Sequence, residues 1–126
     1  MKQVTQISIV LPNVPSSLAK VCDAMRAAQV NIEAMHCNEG IDKSRINMIV
    51  DDVETAKMVL GSYGEVFVMP VFEVKLKNQP GSIASVARAC AGANLNIRFV
   101  YLTSHGKETI GYIQVDDMEK AKTVLK

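Results

Sequence analysis

The sequence predicts an α+β fold made of one strand–helix–strand–strand–helix–strand unit written twice, and three observations predict it. The first is repetition: sliding the chain by about 65 residues without a gap puts Asn13-Val14-Pro15-Ser16-Ser17-Leu18 over Asn78-Gln79-Pro80-Gly81-Ser82-Ile83, and Val50-Asp51-Asp52-Val53-Glu54 over Val115-Asp116-Asp117-Met118-Glu119. The second is that stretches of period two alternate with stretches of helical spacing inside each copy. The third is size. With 126 residues and 48% apolar side chains, one body buries roughly two-thirds of its unfolded surface, whereas half the chain alone is marginal. The two copies, residues 1–69 and 70–126, are therefore expected to pack together. Only Pro70 separates them, with no glycine- and serine-rich linker, so a rigid relation is expected.

Each element follows from its local pattern. Gln6-Ile7-Ser8-Ile9-Val10-Leu11 alternates with Ile7, Ile9 and Leu11 on one face, and Phe72-Glu73-Val74-Lys75-Leu76-Lys77 repeats that strand. An asparagine–proline turn follows, then Leu18, Val21, Cys22 and Met25, matched by Ile83, Val86, Ala87 and Cys90, at the spacing of an amphipathic helix. Asn31-Ile32 and Asn96-Ile97 open a second strand, about Ile32 to Asn38 and Ile97 to Ser104, which ends at the polar turns Glu39-Gly40 and His105-Gly106. A third strand turns Ile46, Met48 and Val50 inward, or Gly111, Ile113 and Val115 in the second copy. Asp51 or Asp52, and likewise Asp116 or Asp117, then starts a short helix by accepting from orphan backbone N–H groups. Glu65-Val66-Phe67-Val68-Met69 is a closing strand. This order is that of a ferredoxin-like βαββαβ unit, with an antiparallel sheet and both helices on one face. The second unit lacks its last strand, because the sequence ends at Lys126, and an open edge is expected beside Phe72 to Leu76.

Composition narrows the function. Net charge is +1 with both signs interspersed, which gives no electrostatic footprint for nucleic acid or an anionic membrane. No stretch approaches the roughly 18 apolar residues of a membrane span, and the start does not lead into a signal-peptide apolar region, so a cytoplasmic protein is expected. Cys22, Cys37 and Cys90 are odd in number and lack Cys-x-x-Cys spacing, which suits reduced thiols rather than a disulfide framework or zinc site. Cys37 and His36 are adjacent on a strand and point to opposite faces. Neither a metal nor another cofactor is expected. No Gly-x-Ser-x-Gly, phosphate-binding glycine loop or nucleophile–base pattern occurs, so the chain is not expected to be an enzyme.

The most specific local signal is Asn78 to Ile83, between a strand and a helix. Proline fits a first helical turn, where its missing N–H costs nothing, and glycine lets the backbone approach a guest. Free amides at a helix start receive a carboxylate. Plain capping by Asn78 and Asn13 is the competing account. For Asn31 and Asn96 the competing account is that asparagine tolerates the left-handed backbone at a helix exit.

The duplicated unit, the turn Asn78-Gln79-Pro80-Gly81 and the exit Asn94-Leu95-Asn96-Ile97 together resemble the ACT domain, a regulatory module that commonly binds amino acids. The likeness covers nearly the whole chain as two tandem copies. In particular it is similar to the serine-sensing regulatory domain of phosphoglycerate dehydrogenase, in which ligand sits between two ACT units and is shared by asparagines. The resemblance carries those asparagines onto Asn78 and Asn13 in the turns and Asn96 and Asn31 at the start of strand two. That domain also uses a histidine two residues before the turn, where this chain has Leu76 and Leu11, so serine itself is not carried over. The implied site comprises Asn78, Gln79, Pro80, Gly81, Ser82, Ile83 and Asn96 in the second copy, with Asn13, Val14, Ser16, Ser17, Leu18 and Asn31 in the first. Ser16 replaces the glycine in the first copy, which makes the second loop the better receptor.

Such a site divides an amino acid's two charges. Its carboxylate is expected at the amides of Gly81, Ser82 and Ile83, and its ammonium at the side-chain carbonyls of Asn13, Asn78, Asn31 and Asn96. The implied partners are an amino acid, a second copy in a homodimer and a metabolic enzyme under control, with neither nucleic acid nor membrane. The rival reading is a ligand-free dimerisation or interaction module. Its support is a second apolar set on strand two, Met35 and Cys37 against Val100 and Leu102, opposite in phase to Ile32, Ala34 and Ile97, Phe99.

Overall fold

The computed structural model describes residues 1–125, apart from the side chain of Glu39. Six strands and four helices occur among them: β1 Lys2–Pro12, α1 Ser17–Ala27, β2 Ile32–Glu39, β3 Lys43–Val50, α2 Val53–Leu60, β4 Glu65–Lys77, α3 Ser82–Gly92, β5 Ile97–His105, β6 Glu108–Val115 and α4 Met118–Val124. The class is α+β, with antiparallel pairing of β1 to β3, β2 to β3, β4 to β6 and β5 to β6. No helix among the described residues is long and apolar enough to cross a membrane.

Two strands run further than alternation alone indicates. β4 is one strand of 13 residues through Pro70, not two signals divided by it. Proline gives no donor to a ladder but keeps its carbonyl, and the Pro70 oxygen accepts from Gln114 Nε2 at 3.1 Å. β1 begins at Lys2, four residues ahead of the alternating stretch. Lys2-Gln3-Val4-Thr5 lacks a clean apolar period, so nothing in its pattern announces a strand.

The chain forms two compact units, Thr5–Met69 and Met1–Val4 with Pro70–Lys126. In the Thr5–Met69 unit the hydrogen-bonded order is β2-β3-β1-β4. Its core is built from the inward side chains of β1 and β3, Ile7, Ile9, Ile46 and Met48, closed by Val21 and Met25 of α1 and Ala56 and Leu60 of α2. Each buried aliphatic side chain is worth about 1.5–3 kcal/mol relative to exposure. The opposite face of β1 is polar and equally buried. Gln6 donates to Ser8 Oγ at 3.3 Å, and Ser8 donates to Asn47 Oδ1 at 2.7 Å, which satisfies these groups away from water.

The other unit has the order β1-β4-β6-β5 and the core Phe72, Val74, Val86, Cys90, Leu95, Ile113 and Val115, with Ala121 and Leu125. The edge expected to be open beside Phe72 to Leu76 has the first residues of β1 against it. Met1 and Gln3 share a groove with Phe72, and Lys2 shares one with Glu73 and Lys75.

The second strand of each unit corrects a phase argument. A register shift lies between Ile32 and Ala34 in β2, and another between Ile97 and Phe99 in β5. Such a bulge adds one residue and flips the alternation. Ile32 and Met35 therefore both pack on the first core, and Val100 and Leu102 pair with Ile113 and Gly111 on the core side. In β2 the bulge puts Ile32 and Met35 on one face, whereas in β5 Phe99 and Tyr101 stand on the face opposite to the exposed Val100 and Leu102, Tyr101 against Tyr112. Size is exchanged across the same pair in the two units: Ile46 faces Cys37, whereas Gly111 faces Leu102.

Candidate functional site

Helix ends decide what the asparagines do. Both α1 and α3 finish in a Schellman turn. Val30 N–H donates to Met25 O at 2.9 Å and Gln29 N–H to Arg26 O at 3.0 Å; Leu95 N–H donates to Cys90 O at 2.8 Å and Asn94 N–H to Ala91 O at 3.0 Å. The left-handed positions are Gln29, φ 58°, and Asn94, φ 57°. Asn31 and Asn96 come two residues later, so the left-handed explanation does not apply to them.

The paired aspartates divide the labour that sequence left between them. Asp52 and Asp117 are the caps, accepting from Thr55 N–H at 3.1 Å and Lys120 N–H at 3.0 Å. The Asp52 carboxyl also accepts from the Thr55 hydroxyl at 2.6 Å, and that bond first, then the backbone one, lowers its pKa. Asp51 and Asp116 instead accept from the backbone N–H of Asn31 at 2.9 Å and Asn96 at 3.0 Å. Their own N–H groups donate back to Asn31 O and Asn96 O. Each asparagine is thus fixed through its backbone at the mouth of strand two, with an exposed side chain that makes no hydrogen bond among the described residues.

The turn asparagines do not cap their helices. The N-cap positions are Ser16 and Gly81, neither with a side-chain bond to the helix. Asn13 and Asn78 tie each turn to the neighbouring hairpin instead. Asn13 donates from Nδ2 to Gly40 O at 3.0 Å and from its backbone to Asp42 O at 3.0 Å. Asn78 does the same to Gly106 O at 2.9 Å and Lys107 O at 3.0 Å. The reason is geometric: three residues before the N-cap, their side chains reach sideways to the neighbouring hairpin rather than forward to N–H groups of the helix.

Pro80 stands one residue before the N-cap, outside the first helical turn. Gly81 has φ 92°, a left-handed value that favours glycine, and a Cβ there would meet nothing within 4 Å. Its requirement is backbone conformation. Ser16 has φ −86°, so the first copy makes a different loop and not an obstructed version of the same one.

At the α3 start the amides are partly spent. Ser82 N–H donates to Gln79 O at 3.4 Å, and its hydroxyl to Lys77 O at 2.7 Å. The Ser85 hydroxyl and N–H both turn to Gly81 O. The N–H groups of Gly81 and Ile83 have no partner among the described residues. Of the three expected carboxylate donors, Ser82 is therefore largely committed and two remain. In the first copy Ser17 N–H donates to Val14 O at 3.1 Å and its hydroxyl to Pro12 O at 2.6 Å.

A groove of about 460 Å³ lies against this loop, walled by Gln79, Pro80, Gly81 and Ser82. It is an open surface groove, not an enclosed cavity. Asn78, Ile83 and Asn96 do not line it; Ile83 stands 39% exposed beside it on the helix. Four further wall residues were missed from sequence as site members: Leu76, Lys77, Ser85 and Arg88. Ser82, Ser85 and Arg88 follow one another three apart, the spacing that brings residues to one helix face, so the signal was present. In the first copy Val14 and Leu18 are exposed and Ser17 is buried.

Comparison with known proteins comes from two directions. A family model described as an ACT domain pair matches residues 2–126. Among solved structures, a protein from Bacteroides thetaiotaomicron superposes with a TM-score of 0.93 at 24% identity, over 98% of this chain and 86% of that one. The ligand-free regulatory subunit of aspartate kinase from Thermus thermophilus superposes with a TM-score of 0.70 at 19% identity, over 99% and 93%. The regulatory subunit of aspartate kinase from Thermus flavus gives 0.68 at 19% identity, over 99% and 89%. At these identities the likeness is one of fold. No curated protein matches in sequence.

Proposed function

The chain belongs to the ACT domain pair family, and from that premise we propose that it is a regulatory protein that binds an amino acid and passes the bound state to a partner enzyme or to its own assembly. The observation that carries this reading is the groove at the α3 start, with Gly81, whose N–H has no partner among the described residues, in its wall and the unpartnered N–H of Ile83 on the helix beside it. Two amides at a helix start form a carboxylate receptor, reinforced by the positive end of the helix dipole. The exposed side chain of Asn31 or Asn96 from an ACT unit of a second copy supplies an acceptor for the ammonium. Charge-assisted hydrogen bonds of about 1.5–3 kcal/mol each, set against lost translational freedom, give roughly micromolar to millimolar affinity. Such affinity suits a sensor of metabolite level. Regulation follows only if bound and free states differ in association, since a ligand shifts an equilibrium by its differential affinity alone.

A second reading keeps a specific observation of its own. The Nδ2 groups of Asn13 and Asn78 are already engaged in tying turn to hairpin, as they would be in a scaffold that binds no ligand. One screen separates the two. Thermal denaturation with each of the twenty amino acids is expected to reveal one or a few binders, with about 2.7 kcal/mol of added stability at ~100 times the dissociation constant. Asn96→Ala, at a side chain with no structural bond, is expected to weaken that response without lowering the unliganded midpoint. Silence from all twenty, in folded protein, leaves the interaction module.

A further inference from the structure

We propose that Arg88 makes the α3 groove selective for an amino acid with an acidic side chain. The inference rests on the amino-acid-binding reading above and names the ligand class for that site. It starts from the charges of the wall. Arg88 and Lys77 both line the groove, no aspartate or glutamate does, and neither cation has an ion-pair partner among the described residues.

The duplication provides an internal control. Position 88 in the second copy corresponds to Asp23 in the first, where α1 carries the opposite charge, 4.0 Å from Arg26. In α3 the residue corresponding to Arg26 is Ala91, so that ion pair has no equivalent. Both the sign and the lack of a mate are particular to the second copy. An exposed cation in such a place is ordinary on a helix surface; one that walls a groove with no carboxylate in it favours a ligand that brings the missing charge.

Spacing then fixes which ligand charge goes where. Ser82 and Arg88 are six residues apart, about 9 Å of axial rise. Helical side chains tilt toward the N-terminus, and Arg88 lines the groove together with Ser85 and the loop residues. One carboxylate at the Gly81 amide and a second at Arg88, both in the groove wall, would suit the two ends of a short dicarboxylic amino acid. Guanidinium suits that second carboxylate because it offers a planar pair of donors. A basic ligand would bring like charge to Arg88 and Lys77, and a neutral one would leave both unanswered.

Isothermal titration of the whole chain with glutamate, aspartate, glutamine and asparagine tests this. The acids are expected to bind about tenfold or more tighter than their amides, the scale of one charge-assisted bond. Arg88→Met is expected to abolish that preference, so that acid and amide bind alike, and Arg88→Lys to restore part of it. Equal binding of acid and amide, or a preference that survives Arg88→Met, overturns the assignment and leaves amino-acid binding intact. A chain that binds other amino acids but none of these four also overturns it, whereas binding of no amino acid at all removes the underlying reading as well.

Discussion

At the scale of single residues, the chain spends its asparagines and aspartates on joints. Asn94 takes the left-handed helix exit, Asn78 ties turn to hairpin, Asp117 caps α4 and Asp116 pins the start of β5. The first copy uses the same scheme with one exception, Gln29 in place of Asn94. A residue other than glycine in the left-handed region pays about 1–2 kcal/mol. Gln29→Gly removes that strain and adds freedom to the unfolded chain, for a net gain of about 0.5–1 kcal/mol. A higher urea midpoint at unchanged slope reports it, and Gln29→Val is expected to lower the midpoint. Much of this scale was legible only as residue type. Sequence placed polar residues at the right joints but could not say which partner each would take, because Asp51 and Asp52 offer the same chemistry one residue apart and only the path of β2 tells them apart.

At the scale of elements, the periods of two and 3.6 located every helix and the body of every strand, since burying one face is what gives a strand or helix its pattern. Three features escaped. The start of β1 and the passage of β4 through Pro70 carry no apolar alternation to read, because pairing there is held by the backbone. The bulges at Ile32/Ala34 and Ile97/Phe99 invert the phase of strand two, and a phase read straight through them puts Ile32 and Met35 on opposite faces when both pack on one core. The exchange of Ile46 with Cys37 for Gly111 with Leu102 makes a sharp test of the corrected register. A Cβ on Gly111 would lie 2.5 Å from Leu102 Cβ and 2.9 Å from Tyr101 O, so backbone as well as side chain obstructs it. Gly111→Ala is expected to cost about 1–3 kcal/mol, the range of overpacking. Adding Leu102→Gly, which removes the Cβ nearest the new methyl, is expected to recover part of the loss in a double-mutant cycle. A neutral Gly111→Ala would mean that these two residues do not face each other.

At the scale of the whole molecule, duplication made the fold readable, since a pattern seen twice at one offset is hard to obtain by chance and halves the problem. It made the site only half readable. Repetition marks what the copies share, the asparagine turns and strand entries, which turn out to be the shared means of holding the loops. What distinguishes the proposed receptor lies where the copies differ: Gly81 against Ser16 in backbone conformation, and Arg88 against Asp23 in charge. Gln79, Pro80, Gly81 and Ser82, which line the groove, belong to the motif that stands out in the sequence, while Ser85 and Arg88 lie one and two helical turns beyond it. The central claim is that the Gly81 and Ile83 amides wait for a carboxylate, and nitrogen–proton correlation NMR of the labelled chain tests it at those atoms. Titration with the amino acid that gives the largest thermal shift is expected to move the Gly81 and Ile83 resonances first and furthest, saturating together. Saturable binding that leaves both resonances in place would contradict the account.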